Sequence, residues 1–455
     1  PVYFILNMSN IFSLDFEKTT ANAWKQKIQV DLKGADYNNS LLWQTDENIT
    51  VKPFYTKEDR FHQNIQLPEK GFSICQTINI QNEIQANTLA NDALQRGANS
   101  IQFIAFKEFD YIKVLKNIDN TLYRIYFKLH FLSAPFIKKL TSFCNSENTF
   151  LQIDIIGNLT KTGNWFFNLK KDHEAINQII NTNNSINVNA SLYQNSGANI
   201  TQQLAYALAH GHEYLNYFGG DIASKIHFNF SIGSNYFFEI AKLRAFRVLW
   251  TSLLNEYHVN NTTTHIFSQP SLRNKTLYDY NVNMLRTTSE CMSAILGGSD
   301  TIANISYDKL FHTPNEFGER ISRNQLLILQ QESYLSKAQN FADGAYYIES
   351  ITQQLANKAL DVFKQIEKGG GFLKQLKEGV IQRKISVSAL KEQEKFNHGE
   401  LALLGTNKIQ NPKDQMKHDL QVNPFVKIRN EKTLIIPITS KRLAEILEKE
   451  RLQNE

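Results

Sequence analysis

Short runs of apolar and β-branched residues recur along the chain at 72–80, 100–106, 124–131, 151–156, 186–190, 226–231, 264–269 and 301–305, and each predicts a β-strand. Between them lie helix-length segments at 83–96, 111–116, 134–144, 171–180, 200–217, 235–257 and 280–296. After the eighth strand, 316–338 reads as a long helix with Pro314 near its start. Strand–helix alternation with right-handed crossovers makes a parallel sheet. Eight such units over roughly 250 residues fit an α/β fold of the (β/α)8 TIM-barrel class. An open doubly wound sheet is the competing arrangement. No Gly-rich dinucleotide turn follows the first strand, which favours the barrel.

The same pattern divides the chain into an extended N-terminal arm (1–69), the barrel (70–340) and a helical C-terminal appendage (341–455). The arm holds one amphipathic helix at 20–32, broken at Gly34, then two extended pieces around a turn, with Pro53 in the second. Its apolar side chains Trp24, Leu41, Trp43, Phe54 and Tyr55 cannot form a core of their own. They are expected to bury against this chain's barrel or against a partner. In the appendage, helices are expected at 348–367, after the GGG at 369–371, and at 440–452.

Forty-nine basic and forty-four acidic side chains leave a net +5 without a basic stripe, so nucleic acid is not an expected partner. Cys75, Cys144 and Cys291 are far apart and form no CxxC pair, which excludes the common zinc and redox spacings and suits a reducing, cytoplasmic setting. No run of 18 apolar residues exists to span a membrane. The opening PVYFILNMSNIF has no basic n-region, so a signal peptide is not expected, and Met8 is the expected start.

Candidate chemistry is sparse. The two histidines of HGH at 210–212 lie about 200° apart on a helix and cannot share a metal there. His130 and His227 sit in predicted strands and are read as core histidines rather than catalytic bases. LGGSD at 296–300 reads as a helix C-cap leading into a strand, and the GGG at 369–371 as a helix stop. RNKTLYD follows the seventh strand, on the face where barrel sites form. Its Arg273, Lys275, Tyr278 and Asp279 are the local candidates for an acidic ligand or a partner protein. No GxSxG, HExxH, P-loop or DxHxxG motif occurs, and no metal site is expected.

A bore that admits a long ligand needs small inward side chains. Here either face of two strands is bulky: Phe127, Leu129 and Phe131 or Tyr126, Lys128 and His130, then Ile226, Phe228 and Phe230 or His227 and Asn229. A solid bore is expected.

Four long stretches, in order, carry a resemblance: AWKQKIQVDLKGADYNNSLLWQTDENITVKPFYTKED, RNKTLYDYNVNMLRTTSECMSAILGGSDTI, PNEFGERISRNQLLILQQESYLSKAQNFADGAYYIESITQQLA and GELALLGTNKIQNP. They resemble the methylmalonyl-CoA mutase family, and within it the small (beta) subunit. The resemblance implies a radical rearrangement of methylmalonyl-CoA to succinyl-CoA with adenosylcobalamin, in propionate metabolism. In such enzymes the cofactor does the hard chemistry while the protein binds, orients and shields.

The sequence departs from the family's catalytic chains in three places. The DxHxxG motif that puts a His on cobalt is missing, and the 455 residues are expected to leave no room for a cobalamin-binding domain. In ASLYQNSGA at 190–198, Ser191 and Leu192 replace the family's substrate-facing Tyr and His. Leu can neither donate a hydrogen bond nor carry a proton. An RPWTIRQYAGF-type block between arm and first strand is also missing.

The implied reading is a small subunit with no catalytic residues and no bound cofactor of its own. It would stabilise a large (alpha) subunit that holds adenosylcobalamin, in a heterodimer, with Trp24, Leu41, Trp43, Phe54 and Tyr55 as interface anchors. The alternative is the barrel subunit of a split acyl-CoA mutase, catalytic with a separate cobalamin-binding chain. A GTP-dependent chaperone role lacks its P-loop.

Overall fold

The computed structural model describes residues 19–60, 65–69, 71–144, 147–182, 185–260, 262–426 and 431–455. Met8 lies outside the described residues. The arm consists of α1 (Ala21–Asp31), α2 (Tyr37–Leu41) and an antiparallel pair, β1 (Trp43–Gln44) with β2 (Thr50–Val51). Thr20 starts α1 by accepting the Ala23 N–H at 3.1 Å, which satisfies one of the free donors of the first turn. No described residue of α1 is buried.

Eight parallel strands follow, each but the last leading into a helix: β3 (Ser73–Asn79), α3 (Glu83–Gln95), β4 (Ser100–Ala105), α4 (Tyr111–Val114), β5 (Arg124–Leu129), α5 (Ala134–Phe143), β6 (Thr149–Gln152) and α6 (Ile155–Thr162). After α7 (Leu169–Ile180) come β7 (Ile186–Asn189), α8 (Ser191–Asn195), α9 (Ile200–Phe218), β8 (Ile226–Ile232), α10 (Tyr236–Glu256), β9 (His265–Pro270), α11 (Val282–Leu296), and β10 (Thr301–Ile302). The sheet runs β6-β5-β4-β3-β10-β9-β8-β7. Its two ends meet where the Asn187 N–H donates to the Ile153 carbonyl at 3.1 Å, so the sheet closes nearly fully into a barrel.

Two expectations are corrected. The run LQIDII reads as a strand over 151–156, yet β6 ends at Gln152 and α6 begins at Ile155. Asp154 between them accepts the Gly157 N–H at 2.7 Å, so a side-chain cap turns an apolar run from strand to helix. The helix expected over 316–338 stops sooner, as α12 (Glu316–Gln331).

The outward faces of the strands and the inner faces of the helices form one large core. Burying each Leu, Ile or Phe there contributes about 1.5–3 kcal/mol. Helices α9 and α10 cross closely because Gly211 carries no side chain. A Cβ there would come within 2.8 Å of the Trp250 ring. Helix α13 (Tyr346–Lys368) lays Ile351, Leu355, Ala359 and Ile366 into the same core. Past the GGG stop, α14 (Phe372–Lys377) and α15 (Val380–Asn397) continue, and α16 (Glu445–Asn454) ends the chain. The fold is thus a (β/α)8 barrel with an N-terminal arm and a helical C-terminal appendage.

Candidate functional site at the C-terminal mouth of the barrel

Strand parity decides which side chains fill the bore. On β5 the outward Ile125, Phe127 and Leu129 belong to the main core, while Tyr126 packs with Cys75, Phe267 and Ala303 in a separate inner cluster. Tyr126 stacks on Phe150 at 4.8 Å and meets Phe267 edge-on at 4.9 Å. Phe150 in turn stacks on His265 at 4.2 Å. Desolvation pulls the His265 imidazole down to about 4 and pushes the Cys75 thiol up to about 12, so both are neutral in this aromatic layer.

Towards the C-terminal ends of the strands the filling becomes polar. Thr77 Oγ1 donates to Gln102 at 2.9 Å, Gln102 Nε2 to Gln152 at 2.5 Å, and Gln152 Nε2 to Asn229 at 3.3 Å. Asn187 Nδ2 also donates to the Asn229 carbonyl oxygen, at 3.0 Å. Gln102, Gln152, Asn187 and Asn229 are all buried. A dry amide left without a partner costs about 1–3 kcal/mol, so a ladder satisfied across four strands resists opening. The expected solid bore is present, but its upper floor is a chain of amides that the strand pattern alone did not reveal.

Ser191 begins α8, and Leu192 is buried in the main core, turned from the bore. Just behind them lies a buried network. His210 meets Asp154 at 3.0 Å through Nε2 and the Tyr193 hydroxyl at 2.9 Å through Nδ1, while the Tyr214 hydroxyl donates to Asp154 at 2.8 Å. Burial opposes the Asp154 charge, but His210 and the N–H groups of Asn189 and Gly157 hold its carboxyl below the usual range. His212, on the other face of α9, reaches Glu367 at 3.2 Å. The HGH motif is therefore split between two structural contacts.

A groove of about 470 Å³ lies between the β7–β9 loops, the arm and α15. The arm closes one side of it. Asp46 takes Lys391 at 3.0 Å and Lys395 at 2.7 Å, and Glu47 accepts the Ile200 N–H at 3.3 Å. Desolvation pushes the Glu47 carboxyl up. Trp43 meets Phe238 of the barrel edge-on at 5.7 Å, and Tyr55 meets Tyr347 at 5.1 Å. Trp24 instead stacks on Phe54 at 4.3 Å, within the arm, and Leu41 is half-buried.

The four candidate residues of RNKTLYD each find an acid inside the chain. Arg273 pairs with Glu392 at 2.7 Å. Lys275 grips both oxygens of Glu290 at 2.8 Å. The Tyr278 hydroxyl donates to Glu455, and the Arg451 guanidinium lies 3.9 Å over its ring. The Asp279 N–H donates to Asp414 at 2.7 Å, with φ at +47°. The loop is a socket for the chain's own C-terminal segment. In LGGSD, Asp300 accepts Arg247 at 2.8 Å and the Ile266 N–H at 2.8 Å, so that motif ties helix to strand.

The sequence profile of the methylmalonyl-CoA mutase family matches residues 140–444, which takes in most of the barrel and of the appendage. The chain belongs to the methylmalonyl-CoA mutase family. It is 32% identical over 438 residues to the methylmalonyl-CoA mutase small subunit of Porphyromonas gingivalis, covering 87% of this chain and 71% of that one. It is 35% identical over 254 residues to the methylmalonyl-CoA mutase of Rhizobium meliloti, covering 53% of this chain and 35% of that one. To the methylmalonyl-CoA mutase large subunit of Propionibacterium freudenreichii subsp. shermanii it is 30% identical over 270 residues, covering 57% and 37%. The chain thus spans only about a third of the length of the last two relatives.

Proposed function

We propose that this chain is the small, non-catalytic subunit of an adenosylcobalamin-dependent methylmalonyl-CoA mutase, paired with a large subunit in a cytoplasmic heterodimer. In this reading residues 1–69 are a docking arm, 70–340 the barrel and 341–455 the post-barrel helical region. The observation that carries it is the amide ladder of Gln102, Gln152, Asn229 and Asn187 across the bore. An acyl-CoA chain threaded along the barrel axis would have to break that ladder. Leu192, where the family resemblance calls for a His, is buried in the core and offers substrate no proton.

The placement of the histidines around the bore supports a cobalamin site on the partner. His210 is held by Asp154 and Tyr193, His227 and His265 lie within the bore, and His130 at the mouth stacks on Phe106 at 4.6 Å. Adenosylcobalamin would therefore be held by the large subunit, where it supplies the radical. This chain's part is to rigidify its partner.

Helix α1 suits that part. None of its described residues is buried, and Trp24 and Val30 are 48% and 71% exposed. Aromatic side chains of this kind anchor interfaces. Among the described residues no helix is long and apolar enough to cross a membrane. The test is co-expression with a cobalamin-binding large subunit. A stable complex that survives gel filtration is expected. A folded chain that elutes alone beside that subunit contradicts the proposal.

A further inference from the structure

Lys128 closes the inner face of β5, two residues beyond Tyr126 and therefore on the bore side, and it pairs in register with Gln152 of the amide ladder. Three other side chains reach the same mouth by the same parity. Asn79 follows the bore-facing Thr77 on β3, Asn189 follows Asn187 on β7, and Gln269 follows Phe267 on β9. All four are half-buried. Their side chains make no hydrogen bond or ion pair to any described residue, whereas the neighbouring amides of Gln102, Gln152, Asn187 and Asn229 are all bonded.

Two like charges act on Lys128, Lys161 of α6 and Lys309 after β10. His130, just past the end of β5, is neutral, its imidazole drawn down to about 4 by burial first and by Lys128 and Lys161 second. Asp154, in the turn after β6, spends its oxygens on His210, Tyr214 and the Asn189 and Gly157 N–H groups. Burial first, and Lys161 and Lys309 second, bring the Lys128 ammonium down to about 8. A cation kept in such a place without a counter-charge is an unsatisfied group that an anion would complete.

We propose that the C-terminal mouth of the barrel binds a small oxyanion, a carboxylate or a phosphate, with Lys128 as the charged contact and Asn79, Asn189 and Gln269 as hydrogen-bond donors. The ligand is small because the Gln102–Gln152 pair floors the site. One anionic head enters from the mouth, and no chain passes beyond it. The inference is independent of the subunit role.

Isothermal titration calorimetry on the full chain tests it, with sodium malonate and inorganic phosphate as probes at pH 7. Saturable one-site binding of at least one probe is expected, weakened tenfold or more in Lys128→Met. Malonate alone assigns a carboxylate, phosphate alone a phosphate, and both a shared oxyanion site. Malonate affinity in the wild type should also fall about tenfold per pH unit above about 8, as the Lys128 ammonium is lost. Absence of binding by either probe, or equal affinity in Lys128→Met, overturns the proposal. If that variant does not fold, a malonate affinity that is flat from pH 7 to 9.5 in the wild type overturns it equally.

Discussion

Asp154 and His210 meet at 3.0 Å across the C-terminal end of the barrel, joining the turn after β6 to the middle of α9. The carboxylate is also the N-cap of α6 and accepts the Asn189 N–H at 2.8 Å, beside the β6–β7 closure. One buried side chain thus holds together a helix start, a helix face and the closing edge of the sheet.

Asp154→Asn should lower stability by about 2–4 kcal/mol, because His210, Tyr214 and two backbone donors lose a charged acceptor. The carboxyl sits below its unfolded value. Its contribution is then complete above the unfolded value, about 3.9, and is lost as pH falls through the lower folded value. Urea unfolding between pH 7 and pH 3 checks this. The wild type should lose more stability than the variant over that span, and parallel curves would count against it.

Lys275 and Glu290 form a buried pair with both oxygens at 2.8 Å. Desolvation lowers the Lys275 ammonium and raises the Glu290 carboxyl, so each needs the other to stay ionised. Lys275→Met should cost about 3–5 kcal/mol by stranding the acid. Adding Glu290→Leu should recover a substantial part of that loss. Thermal unfolding of the single and double variants measures both, and a double variant as unstable as the sum of its parts would refute the coupling.

Trp24 and Trp43 are about equally exposed, at 48% and 49%, but have different neighbours. Trp43 touches the barrel at Phe238. Trp43→Ala should therefore destabilise the isolated chain by about 1 kcal/mol. Trp24→Ala removes a stack within the arm and should weaken binding to the large subunit about tenfold or more. Urea unfolding and surface plasmon resonance separate the two effects. Equal affinity for the partner in Trp24→Ala would remove α1 from the interface.

Most of the barrel was legible in the sequence because its strands are bounded by turn residues and its helices carry an apolar face. The runs at 72–80 and 124–131 became β3 and β5 nearly whole. The turn at Asp154 was hidden, since apolar residues continue on both sides and only the Gly157 N–H shows that the acid caps a helix. The bore was legible in bulk but not in kind. Gln102, Gln152, Asn187 and Asn229 come from four strands, and no local pattern shows that they will bond. The chemistry of RNKTLYD was legible but its partners were not. Glu392 and Glu455 lie more than a hundred residues beyond the loop, so an acid-seeking loop and a socket for the chain's own end look alike in one dimension.

The arm divides the same way. Its apolar side chains announce burial, yet only the fold shows Trp43 and Tyr55 meeting the chain's own surface while Trp24 stays with Phe54. That division leaves α1 as the part of the arm free to meet a partner.

The most direct test of the non-catalytic role is turnover of methylmalonyl-CoA with adenosylcobalamin, assayed for the purified chain, for the large subunit and for the two together. No succinyl-CoA is expected from this chain alone, and the activity of the large subunit should be greater or longer-lived when this chain is present. Succinyl-CoA formed by this chain without its partner would contradict it.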